Sequence, residues 1–236
     1  MTRIHQPVTR RRVLAFLGAA GGLIAAWPWL GAQAAAEAAT QIPAPSFSAP
    51  AESGSEARTI VLAGGCFWGV QGVFQHTKGV LNAVSGYAGG SKASASYMMV
   101  GSGMTGHAEA VAVTYDPRQI SYGQMLQIYF SVVHDPTQLN RQGPDVGTQY
   151  RSAVFYTTDE QKQATEAYIA QLTSSHTYKQ PIVTQVAKLK DFYRAEAYHQ
   201  NYAELHPDQP YIAINDAPKV VNLRKQFPEL YKDAIH

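Results

Sequence analysis

Hydrophobic periodicity divides the chain beyond residue 57 into alternating strands and helices. "RTIVLAGG" (58–65) is a short apolar run closed by glycines and predicts a buried strand. In "CFWGVQGVFQHTKGV" that follows, Phe67, Val70, Val73 and Phe74 recur near helical spacing, so the order is strand, Gly-Gly, helix. "VLNAVSGYAGG" predicts another strand with a glycine turn. In "HAEAVAVTYDP", Glu109, Val111, Val113 and Tyr115 share one face and Ala108, Ala110 and Ala112 the other, up to an Asp116-Pro117 turn. "SYGQMLQIYFSVVHDP" predicts a helix capped by Ser121 and stopped before Pro136. A polar loop, "RQGPDVGTQY", leads to the strand "RSAVFYT". Thr158 and Gln161 then stand at capping-box spacing before an amphipathic helix. "PIVTQVAKLKDFYRAE" is strand-like and "AEAYHQNYAELHP" helical. Strands and helices interleave without a regular βαβ beat. This predicts an α+β fold, a two-layer domain with helices packed on a mixed central sheet.

The first 57 residues have a different pattern. Arg10, Arg11 and Arg12 precede an apolar stretch from Val13 to Leu30 and a small-x-small site at Ala32-Gln33-Ala34. That is the layout of a cleavable export signal, and the consecutive arginines resemble a twin-arginine address. Residues 1–34 are therefore expected to be an export signal rather than a retained anchor, with the protein periplasmic or exported. Residues 35–57 are rich in Ala, Ser and Pro and predict a flexible linker. Residues 58–236 are left as one domain of ordinary size.

Charge changes with that division. The chain has 19 basic and 17 acidic residues, net +2. Residues 1–34 contain four arginines and no acid, so the remainder has 15 basic against 17 acidic residues, net −2. No basic patch then argues for nucleic acid, and no stable membrane contact is expected after cleavage. A small molecule or a protein side chain is the expected substrate, and a monomer the expected state.

The only cysteine, Cys66, sits in "GGCFWG" at the predicted strand–helix junction. A buried lone cysteine is ordinarily a small hydrophobe. A helix N-terminus, however, favours thiolate and is expected to lower the pKa of the thiol. Flanking glycines permit close approach, and Phe67 with Trp68 make an apolar wall. None of the histidines has the spacing of a metal site, so no metal is expected.

"GGCFWG", "SGYAGG", "SYMMVGSGMTGHAEAVAVTYDP", "HDPTQLNRQGPDVGTQYRSAVFY" and "AEAYHQNY" together resemble the A-type peptide methionine sulfoxide reductases, in order, from Arg58 to the late 220s. The resemblance implies that Cys66 attacks the sulfoxide sulfur and that Glu109 donates the proton. It implies that Tyr97 and Tyr150 hold the sulfoxide oxygen, with Asp145 as the loop carboxylate. Phe67 and Trp68 match the methyl pocket, and Tyr211 a further pocket tyrosine. The resemblance also implies reduction of the S epimer of methionine sulfoxide, free or in proteins, to methionine, and with it protein repair after oxidative stress. No cofactor is implied beyond an external thiol reductant such as thioredoxin.

Many relatives carry resolving cysteines. This chain has Ile212 and Gly101 where some have Cys, so a Cys66 sulfenic acid must be reduced from outside. Two rivals remain. A single-cysteine thiol peroxidase would use the same thiol on a peroxide. A non-catalytic binder of oxidised methionine would keep its affinity in Cys66→Ser.

Overall fold

The computed structural model describes residues 39–46 and 56–233. The expected export signal lies outside the described residues. Among those residues, no helix is long and apolar enough to cross a membrane.

Six strands form one sheet. In chain order they are β1 (Arg58–Gly64), β2 (Val80–Ala88), β3 (Ala108–Tyr115), β6 (Ser152–Tyr156), β7 (Gln185–Lys188) and β8 (Phe192–Arg194). Their spatial order is β7-β6-β1-β3-β2-β8, antiparallel throughout except for the parallel pair β6–β7. The mixed sheet and the α+β class are as expected. Val61 and Ala63 of β1 join Ala110, Ala153 and Phe155 on one face, covered by Leu189 and Phe192. Ile60, Leu62, Val111 and Val113 face the other way and meet the helices. These are α1 (Phe67–Gln75), α2 (Tyr97–Val100), α3 (Tyr122–Ile128), α4 (Asp159–Ser174), α5 (Tyr202–Leu205) and α6 (Ala217–Gln226).

The core lies between the sheet and α1, whose Phe67, Val70, Val73 and Phe74 are all fully buried. Each such side chain contributes about 1.5–3 kcal/mol over an exposed one. The structure differs from expectation in four places. Ser121 caps α3 as expected, and the structure adds the reciprocal bond from its N–H to the Gln124 side chain, but α3 gives way after Ile128 to a π turn over Tyr129–Val133. Thr158 accepts the Gln161 N–H, yet the Gln161 side chain passes the cap residue and accepts from the Thr157 N–H. The segment "AEAYHQNYAELHP" is interrupted by Asn201 in the left-handed region (φ 58°) and yields only a 3₁₀ turn and α5. The polar loop "RQGPDVG" contains two short paired strands, β4 (Arg141–Gln142) and β5 (Asp145–Val146).

The expected linker is corrected over residues 39–46, which lie docked. The Thr40 N–H donates to Ser131 O (3.0 Å), Gln127 Nε2 to Ile42 O (3.3 Å), and Tyr168 OH to Pro43 O (2.6 Å). Gln171 Nε2 donates to Ala44 O and Gln171 Oε1 accepts from the Ser46 N–H, both at 2.8 Å. Ala/Pro-rich composition said nothing of the polar side chains on α3 and α4 that receive this backbone.

Candidate active site

β1 ends in a bend whose backbone favours glycine. Gly65 has φ +92°, and a β-carbon there would lie 2.7 Å from the Gln142 side chain. The bend sets Cys66 at the N-cap of α1, 8% exposed. Phe67 and Trp68 are the first two residues of that helix.

Glu109 is on the helix-covered face of β3, 2% exposed, and its Oε2 accepts the Phe67 N–H at 3.0 Å. One free amide of the helix N-terminus is thus taken by the carboxyl. Burial pushes the Glu109 pKa up to about 8, with that hydrogen bond opposing and Asp145 and Asp216 adding to the rise. The carboxyl is therefore an acid at neutral pH, as a proton donor must be.

The expected lowering of the Cys66 pKa is corrected. Burial, followed by the charges of Glu109 and Asp216, pushes the thiol well up. A hydrogen bond from the Trp68 backbone favours the anion, but it is outweighed. The helix-end argument omitted the desolvation of an N-cap set inside the core.

The remaining expected residues converge here. Tyr97 starts α2, and its N–H donates to Glu196 Oε1 at 3.0 Å, while Tyr87 OH donates to Glu196 Oε2 at 2.7 Å. Tyr150 ends a 3₁₀ turn after β5. Both phenols are held protonated, first by burial and then by the nearby Glu109 charge, with Cys66 also contributing to each. The loops carrying them are tied together: Thr148 Oγ1 donates to Gly103 O at 2.7 Å, and Gln149 Nε2 to Gly101 O at 3.2 Å. Tyr211 OH donates to Asp145 Oδ2 in a short hydrogen bond. The Tyr211 ring meets that of Trp68 edge-on, 6.0 Å between centroids. Phe67 is fully buried, so it backs the wall that Trp68 and Tyr211 present.

Three residues of this region were missed by sequence reasoning as members of the site. His199 Nδ1 accepts the Trp68 indole N–H at 3.1 Å, and its ring lies 4.3 Å from Tyr97 and 5.1 Å from Phe67. Burial lowers its pKa, so the ring is neutral with its proton assigned to Nε2. Asp216 and Lys219 form a buried pair below α1. Their i,i+3 spacing in "NDAPK" was the available signal. Among the described residues, no group of three or more His, Cys, Asp or Glu side chains could hold a metal ion.

Residues 58–231 match the family model described as peptide methionine sulfoxide reductase. The chain belongs to that family. It is 59% identical over 183 residues to the peptide methionine sulfoxide reductase MsrA 2 of Mesorhizobium japonicum, covering 78% of this chain and 93% of the relative. It is 49% identical over 172 residues to that of Synechocystis, covering 73% and 80%. Among solved structures it resembles the reduced form of Mxr1 from Saccharomyces cerevisiae, with TM-score 0.59, 32% identity, and 65% and 88% of the two chains covered. It also resembles methionine sulfoxide reductase A of Corynebacterium diphtheriae, with TM-score 0.57, 31% identity, and 72% and 85% covered. This A-type kinship agrees with the resemblance read from the motifs.

Proposed function

We propose that this peptide methionine sulfoxide reductase reduces the S epimer of methionine sulfoxide, free or in proteins, through a Cys66 sulfenic acid. The observation that carries this is a buried cysteine whose helix is hydrogen-bonded to a buried, protonated glutamic acid. A sulfoxide needs a sulfur nucleophile and a proton for its oxygen, and Cys66 and Glu109 supply them. Tyr97 and Tyr150 provide hydroxyls for the oxygen, and Trp68 with Tyr211 the niche for the S-methyl group.

The Cys66 S–H and substrate S=O bonds break while a Cys66 S–O bond and an O–H bond form. The substrate sulfur gains two electrons and the Cys66 sulfur loses them. Glu109 passes its proton to the oxygen and is recharged by the thiol proton, so the raised Cys66 pKa does not block the reaction. The chain has no second cysteine. Two equivalents of an external thiol, or one thioredoxin-like dithiol, then return Cys66 to the thiol and release water. The work is repair of oxidised protein, in the periplasm if the export signal acts as read. Resolved S and R sulfoxide peptides, with dithiothreitol as reductant, test the assignment. Methionine should form from the S epimer alone, and none should form with Cys66→Ser.

A further inference from the structure

Asp216 ends a π turn over Ile212–Asp216, five residues after Tyr211. Its side chain is 1% exposed; Oδ1 lies 3.3 Å from Lys219 Nζ, and Oδ2 has no hydrogen-bond partner. A buried ion pair with an unpaired carboxylate oxygen is a poor source of stability, because desolvation offsets the attraction. The pair calls for another reason.

Gly69 supplies one. It lies in the first turn of α1, three residues after Cys66, with ordinary helical backbone. A β-carbon at Gly69 would land on the Asp216 carboxylate and lie 3.0 Å from Lys219 Nζ. The last glycine of Gly-Cys-Phe-Trp-Gly is thus required by close approach rather than by backbone angle. It seats a carboxylate directly against the turn that presents the sulfur.

We propose that Asp216, fixed by Lys219, is a positioning residue whose charge against the first turn of α1 keeps the Cys66 sulfur protonated in the unliganded chain. The inference rests on the reading of Cys66 as the nucleophile. Other groups face the sulfur too: Glu109 from β3, Asp145 from β5, Tyr97 from α2, Tyr150, Tyr211 from beside the π turn, and the Trp68 N–H from α1. Glu109 is neutral below about pH 8, and Asp145 accepts a hydrogen bond from Tyr211. Burial pushes the Asp216 pKa up and Lys219 opposes that rise, so it is the Lys219 ammonium that holds the charge on a carboxylate whose Oδ2 has no hydrogen-bond partner. A chain without a resolving cysteine gains from this, since thiols react far more slowly than thiolates with oxidants and alkylators.

The test is the pH profile of iodoacetamide alkylation of the full chain, read by intact mass at its single cysteine, with no sulfoxide present. Asp216→Asn should lower the midpoint by about one unit, which speeds alkylation below the midpoint about tenfold. Asp216→Glu, which keeps the charge, should leave the midpoint near that of the parent. Asp216→Ala supplies a second uncharged variant if circular dichroism shows the Asn variant poorly folded. An unchanged midpoint in the folded uncharged variants, or equal shifts in the Asn and Glu variants, would overturn the proposal. The assay contains no substrate, so its outcome is separate from the reductase reading, which turnover of Cys66→Ser tests.

Discussion

The main-chain N–H of Phe67 donates to Oε2 of Glu109 across 3.0 Å, so the helix presenting the sulfur and the strand presenting the acid share one hydrogen bond. In Glu109→Gln the amide oxygen still accepts this bond, and the helix should stay in place. Turnover should nonetheless fall by about 10²–10⁴-fold, because the amide has no proton to give. Full turnover at neutral pH in a folded variant would remove Glu109 as the donor.

The pH dependence of the rate has a defined sign. Glu109 has a pKa of about 8 and acts in its protonated form. Turnover should therefore decline as pH rises through about 8, and a steady-state profile in Glu109→Gln should lack that limb. A flat parent profile from pH 7 to 9.5 would contradict the assignment.

Stability follows the same group. The folded pKa of Glu109 lies above its ordinary value of 4.5, so its contribution is complete below about 4.5 and lost as pH rises through about 8. His134 has the opposite sign. Burial depresses it from 6.5 to about 3, so its contribution is present above 6.5 and lost as pH falls toward 3. Thermal melts of the Glu109→Gln variant should gain on the parent between pH 5 and 8. Parallel curves over that window would show that Glu109 is not a buried neutral acid.

His199 fixes the Trp68 indole through its Nδ1. His199→Phe keeps a ring against Phe67 and Tyr97 but deletes the acceptor. Loss of this part-buried hydrogen bond, worth about 1–1.5 kcal/mol, should raise KM up to about tenfold, with kcat less affected. The Cys66 alkylation rate should not change. A fall confined to kcat would assign His199 to the chemistry instead.

The docked segment makes a prediction about folding alone. A chain beginning at Glu56 loses the five hydrogen bonds from residues 40–46, each contributing about 1 kcal/mol. Its melting temperature should drop by several degrees, while turnover at 25 °C stays level. An unchanged melt would show that the segment adds no stability.

Much of this molecule was legible in the sequence because its signals are local. Period-two alternation placed Glu109 with Val111 and Val113 on the face that meets α1, and the Gly-Gly break placed Cys66 at the helix start. What was not legible depends on contacts between residues far apart in the chain. The Cys66 pKa is set by burial and by acids 43 and 150 residues away, which no helix-end argument weighs. The reason for Gly69 lies in Asp216, and the anchor of Trp68 in His199, 131 residues on. The π turns arise where α3 and the chain before α6 pack on the core, and helical periodicity does not mark them.

The central claim, one sulfoxide reduced per thiol with no internal resolution, is tested most directly by a single turnover. Reduced protein, freed of added thiol, is mixed with excess S-sulfoxide peptide. Methionine is then counted and Cys66 is examined by intact mass with a sulfenic-acid trap. One methionine per protein, with the trap on Cys66, is the expected result. No methionine, with Cys66 still a thiol, would contradict the account.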